Sequence, residues 1–291
     1  MGGGTSGTLN ITSATGTKMF TGLVTIASGA IWTNTSANSP VTFKGGITNN
    51  GTFNAGSGVQ TFSTNNQSLT GTLSILNLTA SVTVTNNGTL SVGTALAGTG
   101  KLTNAGTLNI GGSCSINSLI NTESLNLGGA GAITSITNNA SGIVNLTNSG
   151  TITSFNNAGS ASMLNISDLT PPTITTFTVS AAGNTVNYNG AGNQTVKTVT
   201  YSNLTLSGSG IKTVAATTTI NKNFTLSGTA AASVASLTIG GNLSIGDGTT
   251  LTSTNTLAGE LPERWQLQPP QRTRLLQEPL QLIAVVFCQK M

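Results

Sequence analysis

Residues 1–259 hold three carboxylates, Glu123, Asp168 and Asp247, and the whole chain has no histidine. A glycosidase needs two carboxylates facing one bond, one protonated and one charged. Here neighbouring acids are 45 and 79 residues apart, from Glu123 to Asp168 and from Asp168 to Asp247. A calcium-assisted polysaccharide lyase would need clustered acids beside a basic residue, and no such cluster is present in the sequence. Asp247 lies in GDG without the GGxGxD repeat of calcium-binding solenoids and reads as a turn residue. Glu123 aligns with a corner glycine and reads as a solvated corner. The glycine-rich stretches, Gly2–Gly4 and GGAGA, neither open a helix nor carry a lysine, so they do not read as phosphate cradles. The expectation is therefore a non-enzyme with no catalytic, metal or cofactor site.

The remaining chemistry-bearing residues have structural readings. Cys114 (in SCSIN) and Cys288 lie in unlike contexts, so Cys114 reads as a small core residue and not as half of a disulfide. Net charge is +4, yet residues 1–259 carry six scattered lysines and no arginine. Nucleic-acid binding needs clustered basic residues and is set aside. Asn-x-Ser/Thr sequences follow from composition and would be glycan acceptors only in a eukaryotic secretory pathway.

What could position any site is a repeat. LTNAGTLNI (102–110) has close copies in ITNNGTFNA (47–55), VTNNGTLSV (84–92) and LINTESLNL (119–127), with looser ones at 136–146 and 155–166. From Val84 the step between copies is about 17 to 19 residues, and the first gap is about twice that, the mark of a short-period solenoid. Within a copy the period is two. Leu108 and Ile110 fall on one face, Thr107 and Asn109 on the other, as a strand buried on one side requires. One such strand cannot bury its apolar face alone. Stacked coils can, with each Leu or Ile over its counterpart and backbones pairing at about 4.8 Å. Corner Asn and Gly suit left-handed backbone angles, and stacked Asn amides can bond one to the next. The reading is all-β, a right-handed parallel β-helix of roughly 13 coils, about 60 Å long at ~4.8 Å per coil.

Composition agrees. Thr, Ser and Asn dominate, 37 residues are Gly, and only 5% are charged. The apolar residues are sparse but periodic, which favours a thin patterned core over disorder. Lys18 with MFTGLVTIASGA has the outline of a signal peptide, but Thr and Gly break its apolar run and a strand is the better reading. A secretion signal would then lie outside this piece of chain. No run approaches the ~18 apolar residues of a membrane span, so no membrane insertion is expected.

Four regions follow: a β-solenoid of TNxGTLxI coils over 1–167, a proline-containing corner or linker over 168–175, a β-solenoid of NLTLSG coils over 176–259, and a non-repeat tail over 260–291. Pro171 and Pro172 offer no N–H to a ladder. Beyond them the strings VNYNGAGNQTV, NLTLSGSGIKTV and TTTINKNFTLSGT resemble the repeats of large secreted bacterial surface proteins, adhesin-like β-solenoids in the style of filamentous haemagglutinins. The resemblance implies an extracellular or cell-surface location and a role in adhesion or matrix. Neither the secretion region nor the anchoring domain of such proteins is visible here.

The tail, Glu260–Met291, has no Gly or Asn but six of the nine Gln, four of the seven Pro and every Arg. It reads either as a cap or, preferably, as a frame-shifted continuation. One nucleotide forward, Trp265–Gln266 gives Gly followed by Asn or Ser, the vocabulary of the upstream coils. Function narrows to a stiff structural or adhesive spacer whose polar Thr/Asn surface meets glycans or other surface molecules, with bare terminal strands inviting end-to-end association. The alternative is ice or crystal-surface binding. It needs a Thr rank repeated once per coil, which the Thr-x-Thr pairs at 83/85, 151/153, 173/175 and 198/200 do not give in sequence.

Overall fold

The computed structural model describes residues 7–148, 150–255 and 257–259. The expectations for the tail, 260–291, and for Cys288 lie outside the described residues. The fold is a parallel β-solenoid. Most of its strands are short, they pair in parallel, and each rank runs from one coil to the next. The chain forms two compact units, Met1–Phe155 with Pro172–Thr176, and Asn156–Pro171 with Phe177–Met291.

In the first unit the repeat copies stack as the sequence suggests. Val84 pairs with Leu102 and Leu102 with Leu119, which in turn pairs with Ile136, so the starts of four copies lie in one rank. A second rank runs Leu73, Leu90, Leu108, Leu125, Val144, and all five are buried. The doubled gap between the first two copies is filled by the strand Gln67–Ala80. That strand meets Ile47 with Leu69 but Val84 with Gln67, a register offset of two residues that keeps the same face inward. Near the amino-terminal end the core turns aromatic. Phe43 stacks on Phe62 at 5.4 Å and on Phe20 at 5.9 Å, and Trp32 lies 5.6 Å from Phe53. The segment around Lys18 is β-structure, with strands Met19–Phe20 and Val24–Ile26.

In the second unit Val186, Leu204, Phe224 and Leu243 form one rank, and Tyr188, Leu206, Leu226 and Ile245 the next. The corner vocabulary differs between the two units, but the inward alternation is the same. Of the proline-containing segment, Thr173–Thr178 is a strand.

The corners depart from expectation in one respect. Left-handed angles occur at Asn38, Asn66 and Ala140 and at several glycines, not at the consensus Asn86, Asn104 and Asn121. Those asparagines close strands with their side chains buried. The consensus glycine is required by close approach and not by backbone angle: a Cβ on Gly88 would lie 2.1 Å from the carbonyl oxygen of Gly71 in the neighbouring coil.

Candidate functional site

Two kinds of polar rank run along the first unit. The inner one is an asparagine ladder in the core. Asn86 Nδ2 donates to Asn104 Oδ1 at 2.7 Å, Asn104 Nδ2 to Asn121 Oδ1 at 2.7 Å, and Asn121 Nδ2 to Asn138 Oδ1 at 2.9 Å. Each amide also reaches corner carbonyls; Asn104 Nδ2 lies 3.0 Å from Gly106 O and 2.8 Å from Ser124 O. Each amide thus joins neighbouring coils and gives a turn carbonyl a second donor, since Gly106 O already accepts from Ser124 N and Glu123 O from Ile143 N.

The outer rank is half-exposed. Asn145 Nδ2 donates to Asn126 Oδ1 at 2.7 Å, Asn126 Nδ2 to Asn109 Oδ1 at 2.7 Å, and Asn109 Nδ2 to Ser91 Oγ at 3.3 Å. Beside it Thr72, Thr89, Thr107 and Ser124 line up one per coil. The second unit carries its own row, Thr205, Thr225 and Ser244.

The three acids lie in different settings. Glu123 is an exposed corner, and its backbone carbonyl accepts from Ile143 N and from Asn121 Nδ2. Asp168 Oδ1 accepts from Thr170 N at 2.9 Å and from Thr170 Oγ1 at 3.1 Å, an Asx turn. Asp247 is exposed in a turn, where its Oδ1 accepts from Gly248 N. Among the described residues no three His, Cys, Asp or Glu side chains come together as a metal site. No helix is long and apolar enough to cross a membrane among those residues. A shallow notch bounded by Leu127, Ile133, Leu146, Ile152 and Pro172 has no carboxylate or lysine in its wall.

Cys114 is a free, buried thiol in register with Leu96, the core position its sequence context suggests. Burial pushes its pKa up to about 12 from 9.0. Burial also raises Tyr188 and Tyr201, whose hydroxyls lie 3.4 Å apart in the second unit's core. All three groups act with one sign. Above the ordinary pKa the unfolded group ionises while the folded one keeps its proton, so the folded state binds more protons and stability falls as pH rises. Buried Lys212, whose pKa burial lowers to about 8 from 10.5, acts with the opposite sign over that window, so the readout is a difference: followed by circular dichroism, the parent's thermal midpoint should fall relative to that of Cys114→Ala from pH 9 upward. A difference between the two midpoints that stays constant from pH 9 upward would contradict the burial of Cys114.

The polar residue the sequence reading missed is Lys212. It is 0% exposed on the strand Ser209–Val214, in register with buried Gln194. Its signal was the alternation in GIKTV: with Val214 inward, Lys212 must point inward too, and Ile211 is 46% exposed. Asn104 and its counterparts were legible as stacking amides, but their inward direction was not.

No protein-family model, curated protein or solved structure matches the chain, so its place among parallel β-solenoids rests on the strand register itself.

Proposed function

We propose that this chain is a structural and adhesive repeat region of a secreted or cell-surface bacterial protein, a stiff spacer whose polar outer face meets glycans or host surfaces. The observation that supports this most is the outer rank from Ser91 through Asn109 and Asn126 to Asn145. Stacking fixes these side chains at coil spacing, about 4.8 Å. A row of half-exposed amides and hydroxyls at fixed spacing presents donors and acceptors to a hydroxyl-rich polymer with little conformational entropy left to lose. Low charge points the same way, since such a surface recognises neutral polar groups and not phosphates. The acids are scattered and histidine is absent, which supports a non-catalytic role.

A second reading has one observation in its favour. Thr72, Thr89 and Thr107 stack in consecutive coils, an alignment invisible in the Thr-x-Thr offsets because it runs across strands and not along them. That is the kind of rank an ice surface would need. It passes to Ser124 and then Ile143 within two further coils.

The test is to incubate the purified chain with immobilised neutral glycans, with host extracellular matrix and with ice. Saturable, salt-insensitive glycan or matrix binding, weakened by Asn126→Ala, is expected. Thermal hysteresis with shaped ice crystals would replace the adhesive reading with the second one. Turnover of a polysaccharide would overturn both.

A further inference from the structure

The side chains of Lys212 and Gln194 meet across adjacent coils of the second unit. Lys212 Nζ lies 2.7 Å from Gln194 Oε1, 2.7 Å from Gly190 O and 2.9 Å from Gly192 O. All three partners are neutral oxygens, so the buried amine has three acceptors and no counter-charge among them. The Gln194 carboxamide is held on every side. Its Oε1 accepts from Gly190 N at 2.9 Å, and its Nε2 donates to Ile166 O at 2.9 Å and to Asp168 O at 2.7 Å. Both residues are buried, at 0% and 2% exposure. Asp168, whose carbonyl holds that nitrogen, also has a buried Oδ2 without a hydrogen-bond partner in the same turn.

An amine is therefore fixed against a primary amide whose oxygen already receives a backbone N–H, in a place that water does not reach. We propose that Lys212 and Gln194 join in an intramolecular isopeptide bond that cross-links neighbouring coils. In the reaction the neutral amine's lone pair attacks Gln194 Cδ and forms the new N–C bond. Negative charge gathers on Oε1, facing the Gly190 N–H, which has the role of an oxyanion donor. The intermediate collapses by breaking the Cδ–Nε2 bond. One proton from Nζ passes to Nε2, and ammonia leaves. One amine and one primary amide become one secondary amide and one ammonia, and nothing is oxidised or reduced.

Three features favour the step. Holding the partners together replaces a bimolecular encounter, worth an effective concentration of about 10⁵ M or more when alignment is good. Burial pushes the amine's pKa down to about 8 from 10.5, so at neutral pH a larger fraction is neutral than for an exposed lysine. Exclusion of water suppresses the competing hydrolysis. The proposal is independent of what the outer face binds.

The test is the intact mass of the full chain, followed by a peptide map, after incubation at about pH 9 and at about pH 6, either side of the buried amine's pKa. A mass lower by one ammonia is expected, with a single branched peptide containing Gln194 and Lys212, and faster conversion at the higher pH. Succinimides at Asn50-Gly51, Asn87-Gly88 or Asn189-Gly190 would lower the mass equally. Lys212→Arg separates the two: it keeps the charge but cannot be acylated here, so the isopeptide deficit should vanish and a succinimide deficit persist. Should that variant not fold, the branched peptide from the parent chain decides alone. A parent chain at full mass after prolonged incubation at the higher pH, or a deficit with no branched peptide, overturns the proposal.

Discussion

Asn104→Asp should destabilise the first unit by about 3 to 5 kcal/mol, although it only exchanges an amide NH2 for an isoelectronic O−. Asn104 is fully buried, and its Nδ2 donates to Asn121 Oδ1, Gly106 O and Ser124 O. A carboxylate there sets a negative oxygen against three acceptors, of which Asn121 Oδ1 loses its amide donor while Gly106 O keeps the Ser124 N–H. Only the bond accepted from Asn86 Nδ2 survives. The stranded Asn121 Oδ1 costs about 1 to 3 kcal/mol, the uncompensated buried charge adds to it, and protonating the new acid to restore one donor has its own cost near neutral pH. Burial raises the new acid's pKa in the folded state, so the variant should recover part of its stability as pH falls through that raised pKa towards the unfolded value of about 3.9, because the protonated acid can donate again. Chemical denaturation of parent and variant from about pH 8 down to about pH 4 measures it. A loss under about 1 kcal/mol would mean the amide ladder does not hold the coils together.

The second large effect comes from the apolar rank. Leu108 is 0% exposed and lies between Leu90 and Leu125 in neighbouring coils. Leu108→Asp loses about 2 kcal/mol of apolar burial and adds a charge with no partner, so a total above about 4 kcal/mol is expected. The neighbouring position is the control. Asn109 is half-buried, accepts from Asn126 Nδ2 at 2.7 Å and donates only a long 3.3 Å bond to Ser91 Oγ. Asn109→Asp keeps the acceptor and gives up the weaker contact, so its change should stay within about 1 kcal/mol. Unfolding midpoints of the two variants separate the faces of one strand. Similar losses in both would mean that inside and outside have been misassigned.

The contrast shows which parts of the molecule were legible in its sequence. Leu108, Ile110 and their counterparts recur with period two inside a copy and near 18 between copies, and both periods are direct consequences of strand geometry and stacking. The coil at Gln67–Ala80 was hidden because its strand is offset by two residues against Val84 and so carries Leu69 where its neighbour has Asn86. Stacked amides could be expected from repeated Asn. Their burial could not, since an asparagine at a corner is equally suited to a left-handed turn facing solvent. The Thr72, Thr89 and Thr107 row escaped notice because pairing in register, and not sequence offset, brings those residues side by side. Lys212 is the clearest case of one rule displacing another. Composition places a lysine outside, whereas alternation with Val214 places it inside, and three fixed oxygens make the inside position tolerable.

The measurement that bears most directly on the account is one distance along the first unit's axis. Thr72 and Ile143 are exposed and occupy the same outer rank, linked by four successive pairings through Thr89, Thr107 and Ser124. Spin labels on cysteines introduced at these two positions, with Cys114 and Cys288 replaced by alanine, should give one narrow distance distribution near about 19 Å, four coils at ~4.8 Å each, widened only by the label arms. A broad distribution, or a distance well beyond what the label arms can add, would contradict the stacked parallel coils on which the ladders, the polar outer face and the proposed function depend.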